Sequence, residues 1–385
     1  MSKPVVKIGL IGAGFIGRAH GLAVNAINAT FADLPVRASA HILCDVDEAR
    51  ARGQAEAMGF AHATADWREA VDQSDAVIIA VPSRLHGEIA LYAFSRSKAV
   101  LCEKPVGLSA AEAVALAREA EAAGVINAVG FTYLRAPMVA YAKQLLDSGK
   151  FGKPIHFYGR HYEDYLSSAE TPFNWRLDSK VAGRCGALGD LGCHIIAVAR
   201  YLCGPIARLS GASALIHKQR KTDDPKQPLR VVENEDYASA MLTFASGAPG
   251  LIEVSRVAHG RKMDLSFEVA CERGSIRLEA ERLNEISVYL ESEATSGLPG
   301  FKTILINPSH PAYGAFLPAP GHGLGFNDLK TIELAAFLRG IAAGASTYPD
   351  LAEAARISSL CEAILESAET RTSIENPETF TEKRI

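Results

Sequence analysis

The chain has 385 residues, and 40 Lys and Arg residues against 44 Asp and Glu residues give it a net charge of −4. This balance, without any block of like charge, argues against nucleic acid or an anionic membrane surface as a partner. No apolar run is long enough to span a bilayer, and the start MSKPVVKIGLIGAG lacks the features of a signal peptide. The seven cysteines are scattered without a C-x-x-C pair, which favours neither a disulfide framework nor a structural zinc site. We therefore expect a cytoplasmic protein without a metal site.

Short β-rich runs alternate with helical patterns over the first third of the chain. This alternation predicts an α/β domain with a parallel, doubly wound sheet. Ser109 and Glu112 form a candidate capping box for one of the helices, and Gly124 stands where that helix should end. The predicted strands cover residues 6–12, 38–46, 76–82, 99–104 and 126–132.

The pattern changes after about residue 150, where longer β-rich runs follow one another with short turns. They predict an open, mainly antiparallel sheet, with one helix near 187–203 and two closing helices at 327–343 and 350–369. We therefore predict two domains, 1–132 and 133–385, and leave open that the C-terminal helices pack back on the first domain. The β-rich runs are 154–163, 206–220, 236–258, 265–281 and 286–292.

A G-x-G-x-x-G motif follows the first predicted strand directly and opens a helix. Gly12 allows a tight turn, Gly14 lets the backbone approach a pyrophosphate, and Gly17 allows close packing of helix on strand. The helix N terminus adds N–H donors and partial positive charge for the phosphates. An ordinary strand–helix turn is the alternative, but the context favours a dinucleotide site. The residues assigned to it are Gly12, Gly14, Phe15, Ile16 and Gly17.

Asp45 ends the second predicted strand, where an acidic residue hydrogen-bonds the adenosine ribose in dinucleotide-binding domains. A carboxylate there favours NAD and repels the additional phosphate of NADP. The alternative is that Asp45 only caps the next helix. Arg50 and Arg52 lie on that helix and leave the strictness of the NAD preference open.

The segment LCEKPVG, residues 101–107, places two charged residues at the end of a buried strand. Ligands of doubly wound sheets gather at the carboxyl ends of the strands. Lys104 is therefore predicted to lie near the nicotinamide and to stabilise a developing alkoxide. The alternative is a Lys–Glu ion pair that closes the strand. Glu103 is assigned to the nicotinamide side or to balancing the lysine.

The segment GALGDLGCHIIAVARYLCG, residues 186–204, holds a second group of candidates. Asp190 and His194 have i, i+4 spacing and share one face of a predicted helix. The carboxylate can orient the imidazole for acid–base chemistry, although a histidine on an apolar helix is also often a core residue. A metal site with Cys193 is disfavoured, because that side chain should point to another face.

The segments GLIGAGFIGRAH, LCEKPVG and GALGDLGCH resemble, in order and spacing, those of the glucose–fructose oxidoreductase and inositol dehydrogenase family, Gfo/Idh/MocA. The resemblance covers nearly the whole chain. It implies a Rossmann domain followed by an α/β domain with an open antiparallel sheet, assembled as a homotetramer through that sheet.

The resemblance also implies roles for individual residues. Lys104, Asp190 and His194 match the catalytic set of the family, with His194 as the proton acceptor. A cis peptide bond between Lys104 and Pro105 is implied as well. The positions that match the family's nicotinamide-binding segment are Val81, Pro82 and His86.

The segment HYEDYLSSAETPFNWRLD, residues 161–178, is rich in groups suited to polyols, which combine hydroxyls with apolar C–H faces. Packing around a long loop is the alternative for some of these residues, but we expect Arg176 to face the substrate. His322 is assigned to closing over the substrate. The residues assigned to the substrate, besides Lys104, Asp190 and His194, are Tyr162, Tyr165, Trp175, Arg176 and His322.

These assignments predict an NAD-dependent dehydrogenase that oxidises a secondary ring hydroxyl of an inositol or an unphosphorylated sugar. Scyllo-inositol is the first candidate substrate. The alternatives are a dehydrogenase or reductase of another sugar, such as an anhydro sugar or an aldopyranose, and a non-catalytic NAD-binding regulator. The intact set of Lys104, Asp190 and His194 counts against the regulator.

Overall fold

The computed structural model divides the chain into two compact units. The predicted boundary after residue 132 lies close to the division after Arg135. The residues that the structure describes are 3–223, 226–297 and 299–379. The first unit comprises Met1–Arg135 and Leu324–Ala355, and the second comprises Ala136–Gly323 and Arg356–Ile385.

Within the described residues, the first unit contains a six-stranded parallel sheet in the order β3-β2-β1-β4-β5-β6. The predicted doubly wound sheet is therefore confirmed. Strand β3 has no counterpart in the prediction, because its three residues, HAT, carry almost no apolar signal. The strands are β1 Val5–Ile11, β2 Arg37–Cys44, β3 His62–Thr64, β4 Ala76–Ile79, β5 Ala99–Cys102 and β6 Asn127–Val129.

Helices follow the strands of this sheet in the alternation that the sequence predicted. The caps of α5 are those predicted: the Ser109 hydroxyl accepts the Glu112 N–H at 3.2 Å, and Gly124 ends the helix with φ of +63°. The helices of the first unit are α1 Phe15–Thr30, α2 Glu48–Ala57, α3 Trp67–Asp72, α4 His86–Ser95 and α5 Ala110–Ala123.

The second unit contains a larger sheet, with nine strands among the described residues, in the order β16-β15-β14-β13-β7-β12-β11-β8-β17. Neighbouring strands are antiparallel except β7 and β12, so the predicted open, mainly antiparallel sheet is confirmed. A small pair, β9 and β10, lies apart from it. The strands are β7 Pro154–Tyr162, β8 Ile206–Ala214, β9 Gln219–Arg220, β10 Arg230–Val231, β11 Tyr237–Phe244, β12 Pro249–Ser255, β13 Asp264–Cys271, β14 Gly274–Glu279, β15 Glu285–Leu290, β16 Lys302–Leu305 and β17 Ile374–Glu375.

Helix α8 packs on one face of this sheet, where the Ile195 side chain contacts the chain at Gly159 of β7. Helix α9 follows the loop after Leu324 and belongs to the first unit. Within the described part of the chain, no helix is both long and apolar enough to cross a lipid bilayer. The remaining helices are α6 Pro137–Asp147, α7 Ser179–Ala182, α8 Cys193–Cys203, α9 Phe326–Ala343 and α10 Leu351–Thr370.

Candidate active site

The Gly-rich turn joins β1 to α1. Gly12 has φ of +104°, which glycine adopts readily, and a side chain there would collide with the Ala80 carbonyl at the end of β4. A side chain at Gly17 would collide with the Gly12 carbonyl oxygen. In contrast, nothing in the described chain lies within 4 Å of the point that a Cβ on Gly14 would occupy. The turn has both open space and backbone donors, so it fits a dinucleotide pyrophosphate.

Phe15 and Ile16 occupy the variable positions of the motif and open α1. The Phe15 ring is largely exposed and stacks on Phe326, the first residue of α9, with ring centroids 5.8 Å apart. Helix α9 therefore contributes an aromatic side chain beside the Gly-rich turn.

Asp45 follows β2 and lies against the same turn. Its Oδ2 accepts the Ala13 N–H at 2.9 Å, and its Oδ1 lies 3.2 Å from Arg50 Nε. The residue that caps α2 is Asp47, whose side chain accepts the Arg50 N–H. Asp45 is thus held at the Gly-rich turn and does not cap the helix, which is the placement that the ribose assignment requires.

His86 opens α4 and is almost completely buried. Its Nε2 lies 2.8 Å from the Val81 carbonyl oxygen, and its Nδ1 lies 2.8 Å from the Pro105 carbonyl oxygen. Burial lowers the pKa of His86, against the opposing effect of these two carbonyls. The ring therefore connects the Val81–Pro82 segment after β4 to the turn after β5 from inside the protein.

Glu103 and Lys104 follow β5, and the peptide bond between Lys104 and Pro105 is cis, as the family resemblance implied. Lys104 is half-buried, whereas the Glu103 carboxylate is buried. Gly130, at the end of β6, leaves room for that carboxylate: a Cβ there would lie 2.6 Å from Glu103 Oε1.

The Glu103 carboxylate has partners on two helices. His20 Nε2 of α1 lies 2.7 Å from its Oε1, and Lys330 of α9 forms an ion pair with the same oxygen. Lys330 Nζ also lies 2.8 Å from Glu333 Oε2. Burial raises the pKa of Glu103, but Lys330 and His20 outweigh it and hold that pKa well below its usual range. The Glu103 carboxylate is thus paired with a cation that α9 provides, Lys330.

Among the described residues, His20, Glu103 and Glu333 also form a group whose possible metal-ligand atoms lie within 4.8 Å of one another. The Lys330 ammonium pairs with both carboxylates and so supplies a cation to this group. Burial lowers the pKa of Lys330, but the two carboxylates raise it by more. We assign no metal ion here.

In the second unit, Asp190 lies in a π-helical turn, Leu188–Gly192, that runs directly into α8. Such turns are rare and frequently occur at functional sites. His194 is the second residue of α8 and is buried, with its ring centroid 5.7 Å from that of His161 on β7. The predicted helix near 187–203 is therefore present, but a π-helical turn replaces its first α-helical turn.

The Asp190 carboxylate is held by the preceding loop. Its Oδ2 accepts the Tyr165 hydroxyl at 2.8 Å and the Arg176 Nε–H at 3.1 Å. Burial, and then the Asp190 charge, raise the pKa of Tyr165 well above its usual value, so this phenol remains a donor. The Arg176 guanidinium stacks 4.4 Å from the centroid of the Trp175 ring, which is 46% exposed. The structure thus brings Tyr165, Trp175, Arg176 and Asp190 together.

A small cluster of buried apolar residues anchors this loop, and Tyr165 packs against the cluster. The buried Arg220 guanidinium also donates to backbone carbonyls of the loop, which fixes its path. The buried members of the cluster are Leu166, Leu177 and Val232, and the carbonyls are those of Leu166, Ser168 and Thr171.

Glu235 also supports the site, although it is not among the residues predicted from the sequence. Its buried carboxylate accepts the N–H groups of Gly186 and Leu188, each at 2.8 Å, where the π-helical turn with Asp190 begins. Burial raises the pKa of Glu235. Its only signal in the sequence is an acidic residue shortly before a strand, which is too common to indicate this role.

The neighbours of Glu235 support the same region. Asn234 Nδ2 donates to the Arg176 carbonyl at 2.9 Å, so it fixes the backbone of a predicted substrate residue. Asp236 forms a fully buried ion pair with Arg256, at 2.9 Å between Oδ1 and Nε. These contacts join residues far apart in sequence, which pattern analysis of one segment does not detect.

One predicted substrate residue lies elsewhere. Tyr162 ends β7 directly after His161, so its side chain leaves the opposite face of the sheet from the one covered by α8. The structure does not bring Tyr162 together with Asp190. The His322 side chain is exposed, and its carbonyl accepts the Tyr313 hydroxyl at 3.0 Å.

Two family models match the chain one after the other. Residues 6–131 match the oxidoreductase family with an NAD-binding Rossmann fold, and residues 139–277 match the GFO/IDH/MocA C-terminal domain. The chain belongs to the GFO/IDH/MocA family, as its motifs predicted. It is an NAD-dependent oxidoreductase of a family that acts on sugars and polyols.

Individual relatives agree with this assignment. Levoglucosan dehydrogenase of Pseudarthrobacter phenanthrenivorans is 33% identical over 389 residues, which cover 97% of this chain and 98% of that protein. The NAD-dependent scyllo-inositol 2-dehydrogenase of Bacillus subtilis is 29% identical over 308 residues, covering 77% of this chain and 81% of that protein. A solved structure of levoglucosan dehydrogenase with NADH and levoglucosan has a TM-score of 0.93 at 32% identity, and covers 97% of this chain and 100% of that one.

Proposed function

We propose that this protein oxidises a secondary ring hydroxyl of an unphosphorylated sugar, with an anhydro sugar of the levoglucosan type as the first candidate. The observation that carries this proposal is the group formed by Trp175, Arg176 and Asp190. An exposed indole offers a flat face for ring C–H groups, and the adjacent guanidinium and carboxylate offer a donor and an acceptor for hydroxyls.

The relatives support an anhydro sugar ahead of the inositol that was the first candidate from the sequence. A relative that matches nearly the whole chain acts, by its name, on levoglucosan. The scyllo-inositol enzyme is less similar and matches a smaller part of the chain. Scyllo-inositol therefore becomes the second candidate.

The proposed roles follow from chemistry and from the family resemblance. His194 accepts the hydroxyl proton, Lys104 stabilises the negative charge that develops on the oxygen, and Asp190 supplies a fixed carboxylate. Tyr165 and Arg176 hold that carboxylate in one orientation. NAD, when bound, supplies the acceptor for the hydride. Asp45 favours NAD over NADP, because its carboxylate repels a phosphate on the ribose.

Single substitutions at Lys104 and His194 test these roles. We expect Lys104→Met and His194→Gln each to lower kcat by at least about a hundredfold, because each removes an acid–base or electrostatic contribution. NAD binding, measured by calorimetry, should stay close to that of the wild type. The matched controls are Lys302→Met and His62→Asn, at exposed positions, and they should keep normal turnover. Near-normal turnover in both Lys104→Met and His194→Gln would refute the assignment.

A substrate panel tests the substrate class. The protein is mixed with NAD and, separately, with levoglucosan, scyllo-inositol, myo-inositol, glucose and glucose 6-phosphate, and reduced cofactor is followed by absorbance. We expect the highest kcat/KM with levoglucosan and a large increase in KM for Trp175→Ala. The highest kcat/KM with an inositol would replace the first candidate with the second. NAD binding without turnover of any sugar or polyol would favour the regulator.

A further inference from the structure

The first unit contains a buried group of charged side chains, His20, Glu103, Lys330 and Glu333, which we term the buried ion group. We propose that Lys330 is a positioning residue for Lys104 and acts through Glu103. This inference rests on the catalytic role proposed for Lys104.

The buried ion group joins three elements of the first unit. His20 lies on α1, the helix that begins at the Gly-rich turn; Glu103 lies at the end of β5; and Lys330 lies on α9. Lys330 and Glu103 are far apart in sequence but are in direct ionic contact. The group therefore connects the nucleotide-binding helix, the strand end that carries Lys104, and α9.

The Glu103 contacts restrict the backbone next to Lys104. The Glu103 N–H donates to the Ile79 carbonyl of β4 at 3.0 Å, and its carboxylate is held by His20 and Lys330. Because Lys104 is the next residue, fixing both ends of Glu103 fixes the direction in which Lys104 leaves the sheet. Catalytic groups need such orientation, since small displacements cost large factors in rate.

Stability alone does not account for this arrangement. Buried ions lose their hydration, and apolar residues of similar volume are often as stabilising as a buried ion pair or more so. Lys330 and His20 are completely buried, and Glu333 and Glu103 are nearly so. Ionic contacts and hydrogen bonds are directional, so they hold Glu103 in one position. The contacts of an apolar cluster are not directional and would not fix the orientation of a side chain in this way. We infer that orientation of the Lys104 segment is the function of the group.

The test uses the full-length protein with paired substitutions. Lys330→Met combined with Glu333→Gln removes one positive and one negative charge and leaves Glu103 with His20. We expect this double variant to bind NAD within about twofold of the wild type, with KM little changed and kcat lowered at least about tenfold. Lys330→Arg, which keeps the charge but changes the geometry, should fold and show an intermediate kcat.

The decisive comparison uses the Lys104→Met background. If Lys330 acts through Lys104, adding the double substitution to Lys104→Met should not lower the residual turnover further, because residues that act as a unit are not additive. A further loss equal to that in the wild-type background would mean that Lys330 acts independently of Lys104, and would overturn the proposal.

A matched control separates positioning from stability. Arg200→Met removes an ion pair with Glu378 that is also largely buried, but in the second unit. It should lower the unfolding temperature and leave kcat of the remaining folded enzyme within about twofold of the wild type. Equal loss of kcat in the Arg200 and Lys330 variants would show a general effect of destabilisation. Normal turnover of Lys104→Met would instead refute the proposed role of Lys104 itself.

Discussion

Arg256 and Asp236 form the fully buried ion pair of the second unit described above. Arg256 also donates to the carbonyl and side-chain oxygens of Asn234, at 3.1 and 2.9 Å, and Asp236 Oδ2 accepts the N–H groups of Ile216 and His217. Every contact is a directional bond to a defined partner. Such a pair tolerates burial because hydrogen bonds replace the water that both ions lose.

Removal of one member of this ion pair should therefore destabilise the folded protein. We expect Arg256→Met to lower the free energy of unfolding by about 3–5 kcal/mol, because it leaves the Asp236 charge buried without its cation. Urea unfolding followed by circular dichroism measures the change. The control is Arg230→Met at the more exposed pair with Asp178, for which we expect less than about 1 kcal/mol. Equal losses in the two variants would contradict the argument.

The buried ion group makes stability depend on pH in a defined direction. The folded-state pKa of Glu103 is depressed, so its contribution is present above the unfolded-state value of 4.5 and is lost as pH falls below it. The pKa of Lys330 is raised, so its contribution is present below 10.5 and is lost as pH rises through the raised folded-state value.

The Glu103→Gln variant tests the acid side. The difference in free energy of unfolding between wild type and variant should be largest near neutral pH and should shrink as pH falls below about 4.5, because protonation removes the charge that the variant already lacks. Urea unfolding at a series of pH values measures it. If the difference in free energy of unfolding increased as the pH fell, the pKa of Glu103 would not be depressed in the folded protein, and the prediction would be wrong.

At the scale of elements, the junction of β1 and α1 combines two kinds of glycine. Gly17 lies where a side chain would meet the Gly12 carbonyl, so its role is packing of helix on strand. Gly14 has φ of −73° and faces open space, so the fold itself does not require glycine there. The requirement at Gly14 should come from the bound dinucleotide.

Alanine substitutions separate these two roles. We expect Gly14→Ala to keep the unfolding temperature of the free protein and to weaken NAD binding at least about tenfold, because the methyl group occupies the space of the pyrophosphate. Gly17→Ala should lower the unfolding temperature as well. Calorimetric titration with NAD and thermal unfolding without it measure the two effects. Unchanged NAD affinity in Gly14→Ala would place the pyrophosphate elsewhere.

One of two predicted helices has nearly its predicted bounds, and the other begins differently from the prediction. A closing helix was predicted at 327–343, and the structure has α9 at Phe326–Ala343. A regular helix was predicted near 187–203, with Asp190 and His194 on one face, but the segment starts with a π-helical turn. Buried Glu235 accepts N–H groups where that turn begins, and this contact comes from a distant part of the chain.

At the scale of the whole molecule, we propose the homotetramer that the family resemblance implies, assembled through the large sheet. The sheet face opposite α8 carries Met241 of β11, which is 69% exposed, directly across from Leu251 of β12. Exposed apolar side chains grouped on one sheet face are typical of an interface.

Light scattering after size exclusion tests this assembly. We expect a tetramer for the wild type and smaller species for Met241→Lys, because a buried lysine in the interface lacks a partner. The control is Leu91→Lys, at an exposed position on α4 of the first unit, which should remain tetrameric. A monomeric wild type would refute the proposal, and a tetrameric Met241→Lys would move the interface away from this strand.

The sequence by itself determined the fold class, the dinucleotide motif and the candidate catalytic residues. These features depend on short stretches of sequence. The spacing of apolar residues indicates whether a stretch forms a helix or a strand, and the spaced glycines indicate a nucleotide-binding turn. The sequence also showed that Glu103 and Lys104 are adjacent at a strand end, but it left the role of Glu103 open.

Only the tertiary structure decided which groups meet. Lys330 pairs with Glu103, Tyr165 and Arg176 converge on one oxygen of Asp190, and Tyr162 leaves the other face of its sheet. The physical reason is that a buried charge is stable only when an opposite charge or hydrogen-bonding group contacts it. That partner can come from any part of the chain, so the local sequence does not identify it. Sequence patterns report which residues can do chemistry, and packing decides which of them are held together.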